Sequence, residues 1–265
     1  MKNINQFITE YIIKKKLDTP IDSEYKYHPQ TKEELIENIK ECFNDDDYDL
    51  NYIDTKAITD MSNLFENIVN NINEFNFDIS KWDVSNVTNM AFMFFGCKSF
   101  EGKGLENWNI SNVTNMEYMF IDCESFKSKG IENWNVSNVE NMKYMFYNCK
   151  NFDCDLSKWD VSKVKYMDSM FSFCKNFKGN GLENWDVSNV KDMKVMFYNC
   201  ENFDCDLSNW DVSKVENMYT MFEGCSKFKG KGLDNWNVSN VENMYYMLYN
   251  CKSITNKPSW YKDKE

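Results

Sequence analysis

The chain has 265 residues, and its 42 Asp and Glu outweigh 30 Lys, with no Arg, to give a net charge of −12. That balance opposes general binding to nucleic acid or to an anionic membrane surface and favours a cationic partner. No apolar run of about 18 residues is present, so insertion of a helix into a membrane is not expected.

In chain order, the start Met1-Lys2-Asn3-Ile4-Asn5-Gln6 runs into Glu10 and Lys14-Lys15-Lys16 without a signal-peptide core, which predicts a cytoplasmic location. Ile4, Phe7, Ile8, Tyr11 and Ile12 form an apolar stripe at helical spacing. Thr31-Lys-Glu-Glu34 then opens a second amphipathic segment through Leu35, Ile36, Ile39 and Phe43, in the pattern of a capping box. Residues 1–50 are therefore predicted to be a helical cap and lead-in segment. His28, the only histidine, reads as a solvated turn residue before Pro29. The run Asp45-Asp46-Asp47-Tyr48-Asp49 imitates the first ligands of a calcium loop, but Leu50 replaces the needed glycine and Lys56 the bidentate glutamate. It reads as a solvated linker, and neither a metal nor another cofactor is expected.

From residue 51 to 254 the chain repeats. Tryptophans at Trp82, Trp108, Trp134, Trp159, Trp185, Trp210, Trp236 and Trp260 recur about every 25 to 26 residues, a period typical of stacked coils that contact only their neighbours. A full unit runs from Leu105 through Trp108, Ile110, Ser111, Val113, Met116, Met119, Phe120 and Cys123 to Phe126. Seven such units follow a degenerate first one, in which Ile53, Ile58, Met61, Leu64, Phe65 and Ile68 hold the equivalent places. Residues 255–265 form a tail.

Within each unit Trp108 and Ile110 alternate like a short strand, whereas Val113, Met116, Met119, Phe120 and Cys123 follow spacings of three and four. One short parallel strand and one short helix per coil are predicted, making an α/β solenoid of about eight repeats. Ser137-Asn-Val-Glu140, Ser213-Lys-Val-Glu216 and Ser239-Asn-Val-Glu242 match the capping box, so the serine column reads as helix caps rather than nucleophiles. Cys97, Cys123, Cys149, Cys174, Cys200, Cys225 and Cys251 share one column; equivalent positions point in parallel directions, which suits buried thiols better than disulfides. With one histidine and no glycine-rich phosphate loop, enzyme chemistry has little support.

Function then belongs on a surface. On the strand face, Asp83, Asp160, Asp186 and Asp211 follow tryptophan and supply an acidic strip. On the predicted helices, Phe92, Phe95, Tyr118, Tyr144, Tyr147, Tyr198, Tyr246 and Tyr249 point away from the core as an aromatic stripe, the better candidate for contact with a protein or other macromolecular partner. The competing reading is packing between neighbouring helices.

The unit Trp82-Asp-Val-Ser-Asn-Val-Thr-Asn-Met90-Ala-Phe-Met93-Phe94-Phe-Gly-Cys97-Lys-Ser-Phe100 resembles the repeat of BspA-like leucine-rich-repeat surface proteins. The likeness covers residues 51 to 254 and reaches Tyr27-His-Pro-Gln-Thr31 upstream. It implies a right-handed solenoid with a parallel sheet along one side, and adhesion or macromolecular binding at a microbial surface as an alternative to a cytoplasmic scaffold. In place of the asparagine that begins the family's ladder stands Val113, with Asn112 one position earlier.

Overall fold

The computed structural model describes residues 25–44, 49–66, 68, 76–127 and 130–262. The expected stripe from Ile4 to Ile12 and most of the acidic run, residues 45–48, lie outside them. A single α-helix, α1 (Lys32–Asn44), is present among the described residues. Thr31 begins it: its Oγ1 accepts from Glu34 N at 3.2 Å, and the Glu34 carboxylate accepts from Gln30 N at 2.7 Å. Leu35, Ile39 and Cys42 are buried, and the Lys32 ammonium reaches Asp60 Oδ2 (3.2 Å) and Ser62 Oγ (2.8 Å) of the first coil.

Beyond α1 the repeats lie on one another in register. Parallel bridges join Asp60 to Asn89, then Asn115, Asn141, Tyr166, Asp192, Asn217 and Asn243, one step per repeat. The elements inside each repeat differ from those the spacing predicts. The segment read as a helix is a run of β-turns: Met119 N donates to Met116 O (3.2 Å), Ile121 N to Tyr118 O (3.3 Å), and Cys123 N to Phe120 O (3.1 Å). Tyr118 and Asp122 stand in the left-handed region at φ 58° and 60°, where the third residue of such a turn must lie. The amides a helix would use internally are spent between repeats instead: those of Met116, Tyr118, Phe120 and Asp122 donate to the carbonyls of Asn141, Lys143, Met145 and Tyr147.

A chain of turns closing every three residues sends Ile110, Val113, Met116, Met119, Cys123 and Phe126 inward, and that period of three imitates an amphipathic helix. The Trp108–Ile110 segment likewise carries no bridge. It follows a short 3-10 turn, Leu105–Asn107, and the pairing has moved to the asparagine column before the first methionine.

The serine column does not cap a helix either. Ser137 N donates to Asn135 Oδ1 at 3.2 Å, an Asx turn, while Glu140 N bonds Thr114 O of the preceding repeat and the Glu140 carboxylate pairs with Lys165 at 2.6 Å. Asn112 does form a rung between repeats: its Nδ2 donates to Ser85 O at 2.7 Å, as Asn138 does to Ser111 O and Asn189 to Ser162 O at 2.8 Å.

Side chains extend the registration through the core. Phe94, Phe120, Phe146, Phe171, Phe197 and Phe222 form one column with centroids 5.2–5.7 Å apart. Each indole donates backwards, for example Trp134 Nε1 to Leu105 O at 3.0 Å, and Trp260 continues the series to Leu233 O. These bonds satisfy the one polar atom of a buried indole. All ten cysteines are buried free thiols, and from Cys123 to Cys251 those of the column donate to the phenylalanine carbonyl one repeat back, Cys149 to Phe120 O at 3.0 Å and Cys200 to Phe171 O at 2.9 Å. Burial raises these thiols, Cys251 to about 12.

At pH 8 such a group is thiolate in only about one part in ten thousand. Folded protein treated with iodoacetamide at that pH is therefore expected to keep Cys123 to Cys251 of the column unmodified until urea unfolds it, as read by peptide mass spectrometry. Rapid alkylation before unfolding would contradict the packing.

Candidate functional site: an aromatic stripe broken by a buried carboxylate

The turns that build each repeat also present its outer side chains. The left-handed residue of the first turn gives one outward column, Phe92, Tyr118, Tyr144, Ser169, Val195, Thr220 and Tyr246. The residue after the core phenylalanine gives a second, Phe95, Ile121, Tyr147, Ser172, Tyr198, Glu223 and Tyr249. The expected stripe is thus two adjacent columns borne on turns rather than on helices.

Within them Phe92 and Tyr118 stack at 4.5 Å and 7°, and Tyr118 and Tyr144 at 4.6 Å and 5°. Tyr147 meets Phe173 edge-on at 5.3 Å, and Phe173 meets Tyr198 at 5.1 Å. Packing between neighbours therefore occupies most ring faces, leaving Phe92, Phe95, Tyr118, Tyr144, Tyr147 and Tyr198 half-buried with edges outward. Tyr246 and Tyr249, in contact with each other at 5.8 Å, are more open, at 39% and 60% exposure.

The stripe breaks in the repeat between Trp159 and Phe177, where three residues missed by the stripe pattern come together. Asp168 stands in the column of Glu117, Lys143 and Lys194, yet its side chain is only 4% exposed. Lys143 Nζ lies 3.8 Å from Oδ1 and Lys194 Nζ 4.0 Å from Oδ2, with Lys194 also bonded to Asp192 at 3.0 Å. Oδ1 takes no hydrogen bond from the described residues. Ser169 and Ser172, where the preceding repeat carries Tyr144 and Tyr147, are buried in the same repeat. Phe173 holds φ 61° in a column otherwise filled by Gly, Asp or Asn. The signal for this break was in the sequence, as the one repeat where both outward columns carry serine.

Burial raises the Asp168 carboxyl, against the pull of Lys143 and Lys194. A folded pKa above the unfolded value means that folding favours the protonated form. That contribution is complete below the unfolded value near ~3.9 and is lost as the pH rises through the folded value. Asp168→Asn is expected to be more stable than the parent at pH 7, with the gap closing below about pH 4. Urea midpoints across that range test it, and a gap that widens on acidification would refute it.

On the other face, Asp83, Asp160, Asp186 and Asp211 each accept from the serine amide two residues on, at 3.0 Å. The serine bonds lower the Asp83, Asp160 and Asp211 carboxyls. One oxygen of each carboxylate thus serves its own turn, and Lys163 and Lys214 lie near Asp160 and Asp211, so these carboxylates stay ionised but part of their hydrogen-bonding capacity is used within their own turns. His28 contacts Asp54 at 3.4 Å, at the margin of a hydrogen bond. Among the described residues no group of His, Cys, Asp or Glu is placed to hold a metal, and no helix is long and apolar enough to cross a membrane.

Three overlapping stretches, residues 33–152, 101–181 and 168–264, match the family described as Mycoplasma protein of unknown function, DUF285. The chain belongs to this family. The successive DUF285 matches run through the stacked repeats and establish the chain as a tandem array of that unit, without assigning it an activity. No curated protein and no solved structure matches the chain.

Proposed function

We propose that this DUF285 protein is a non-enzymatic interaction scaffold, a leucine-rich-repeat-like solenoid that binds a macromolecular partner through its aromatic stripe. The observation that carries this reading is a second set of aromatic rings. The core has its own phenylalanine column, fully buried, whereas Phe92, Tyr118, Tyr144, Tyr147 and Tyr198 lie outside it and remain partly exposed on the repeats either side of the break at Ser169 and Ser172. Rings that present edges and hydroxyls from a rigid array lose little entropy on binding and suit protein recognition.

Because Tyr144 is stacked on Tyr118, changing it would disturb the array as well as the surface. The informative variant is Tyr147→Ser with Tyr198→Ser and Tyr249→Ser. It is expected to keep a cooperative melt while losing at least about tenfold in affinity for a partner captured by the parent, as the removal of interface tyrosines would. Equal capture by both proteins would move the site off the stripe. The resemblance to BspA-like proteins supports a second reading, a microbial surface adhesin. Labelling of intact cells with a membrane-impermeant reagent separates the two, since an adhesin is modified and an internal scaffold is not.

A further inference from the structure

Amides in the turn run of each repeat donate to carbonyls of the next, Met218 N to Asn243 O at 2.7 Å and Thr220 N to Tyr245 O at 2.9 Å, while one amide runs the other way, Glu242 N to Glu216 O at 2.8 Å. In the last stacked repeat the equivalent groups have no partner among the described residues: Glu242 O as acceptor, Met244 N and Tyr246 N as donors. The segment that follows covers only part of this end. Trp260 Nε1 reaches back to Leu233 O, and the Tyr261 hydroxyl accepts from Leu248 N at 3.4 Å. Among Val241, Met244, Tyr245 and Trp260 lies a cleft of about 220 Å³, smaller than the ~300–1,000 Å³ of pockets that enclose whole small molecules and suited to a side chain. Val241 and Met244 are only partly buried, whereas their equivalents Val215 and Met218 are fully so. Exposed tyrosines gather in the last two repeats, at Tyr219, Tyr245, Tyr246 and Tyr249, against Tyr52 and Tyr166 standing singly elsewhere.

We propose that this end of the stack is a docking edge for an extended segment of a partner protein, which lies parallel to residues 242–246 and places an apolar side chain in the cleft. In the register of the stacked repeats, one amide of the segment donates to Glu242 O, and the carbonyls of that segment one and three residues on accept from Met244 N and Tyr246 N. Apolar residues one before and two after the donating residue then cover Val241 and Met244, as the repeats do for one another. An unpaired edge is a template for added backbone, with main-chain bonds supplying affinity and the cleft selecting the side chain. A second copy of this chain does not match it. Two such ends meeting would set donors against donors, and the other end of the stack, which by the same directionality presents carbonyls, lies under α1, with Lys32 bonded to Asp60 and Ser62. The site goes beyond the aromatic stripe, because it uses backbone groups at one end of the array rather than Tyr147 or Tyr198.

The probe is a fluorescein-labelled peptide of residues 212–223, which carries the required apolar spacing at Val215 and Met218, titrated with the intact chain and followed by anisotropy. Saturable binding is expected. The same peptide N-methylated at the Glu216 amide cannot donate to Glu242 O and is expected to bind about tenfold more weakly, the worth of one hydrogen bond. Met244→Pro removes a donor that bonds no described residue and is expected to weaken binding by about tenfold while keeping a cooperative melt. If that variant fails to fold, the methylated peptide decides. No saturable binding by the parent, equal affinity of the two peptides, or affinity undiminished in a folded Met244→Pro variant would each overturn the proposal. Self-association of the chain that displaces the peptide would assign the end to a second copy and overturn it as well.

Discussion

Phe146→Ala is expected to cost about 3–5 kcal/mol, among the largest losses from a single truncation in the array. Phe146 is fully buried and its ring meets Phe152 at 4.2 Å within its own repeat, Phe120 at 5.6 Å in the repeat before, and Phe171 at 5.7 Å in the repeat after. Truncation therefore opens a cavity at two interfaces at once. The surroundings cannot close it, because backbone bonds such as Phe120 N to Met145 O and Phe146 N to Met170 O, both 2.9 Å, pin each repeat to its neighbours. In a stack whose stability is a sum of neighbour terms, weakening two adjacent interfaces should also uncouple the halves. Urea unfolding followed by far-UV circular dichroism is expected to broaden as well as shift to lower denaturant. Tyr249→Ala, at a site 60% exposed, should shift the midpoint by no more than ~0.5 kcal/mol equivalent. A Phe146→Ala midpoint as close to the parent as that of Tyr249→Ala would refute the account of the core.

Gly104→Ala is expected to destabilise by about 3 kcal/mol or more, combining left-handed strain with a backbone clash. Gly104 sits at φ 97° before the 3-10 turn Leu105–Asn107, and an added Cβ would lie 2.5 Å from Ser80 N and 2.7 Å from Ile79 C of the preceding repeat. Those are backbone atoms held in the stack, so the strain has no soft outlet. Gly230 provides the comparison: at φ 76° its added Cβ would meet only side-chain carbons of Ile254 and Leu233, at 3.4–3.6 Å. Gly230→Ala should therefore cost about 1 kcal/mol, the conformational part alone. Equal effects of the two substitutions on the thermal midpoint would show that close approach between repeats does not govern the joint.

Much of the architecture could be read from residue order. The tryptophan spacing disclosed the tandem repeat, and the columns of Val113, Met116, Met119, Phe120 and Cys123 gave the core, buried throughout except at Val241 and Met244 of the last repeat, which are partly buried. The capping pattern at Thr31 gave α1. The aromatic stripe could be picked out by position, since its residues stand two after the first methionine of a repeat or one after its core phenylalanine. What the pattern did not disclose was Asp168 with Ser169 and Ser172. An eye trained on what recurs passes over the repeat that departs, and nothing in local order says that a charged residue in an outward column will be 4% exposed.

The sequence by itself determined periodicity, register and the identity of the inward columns, because each repeat must bury the same apolar set and a single coil cannot do so alone. The tertiary structure decided what backbone carries those columns. An inward side chain every three or four residues is compatible with a helix and with a succession of three-residue turns. The choice depends on where the amide hydrogens go. In isolation they would bond along the chain; with another repeat 25 residues on, those of Met116, Tyr118, Phe120 and Asp122 find carbonyls at Asn141, Lys143, Met145 and Tyr147 instead. A buried amide must be paired, but the partner that wins is set by the neighbour in space, and that neighbour exists only once the stack has formed.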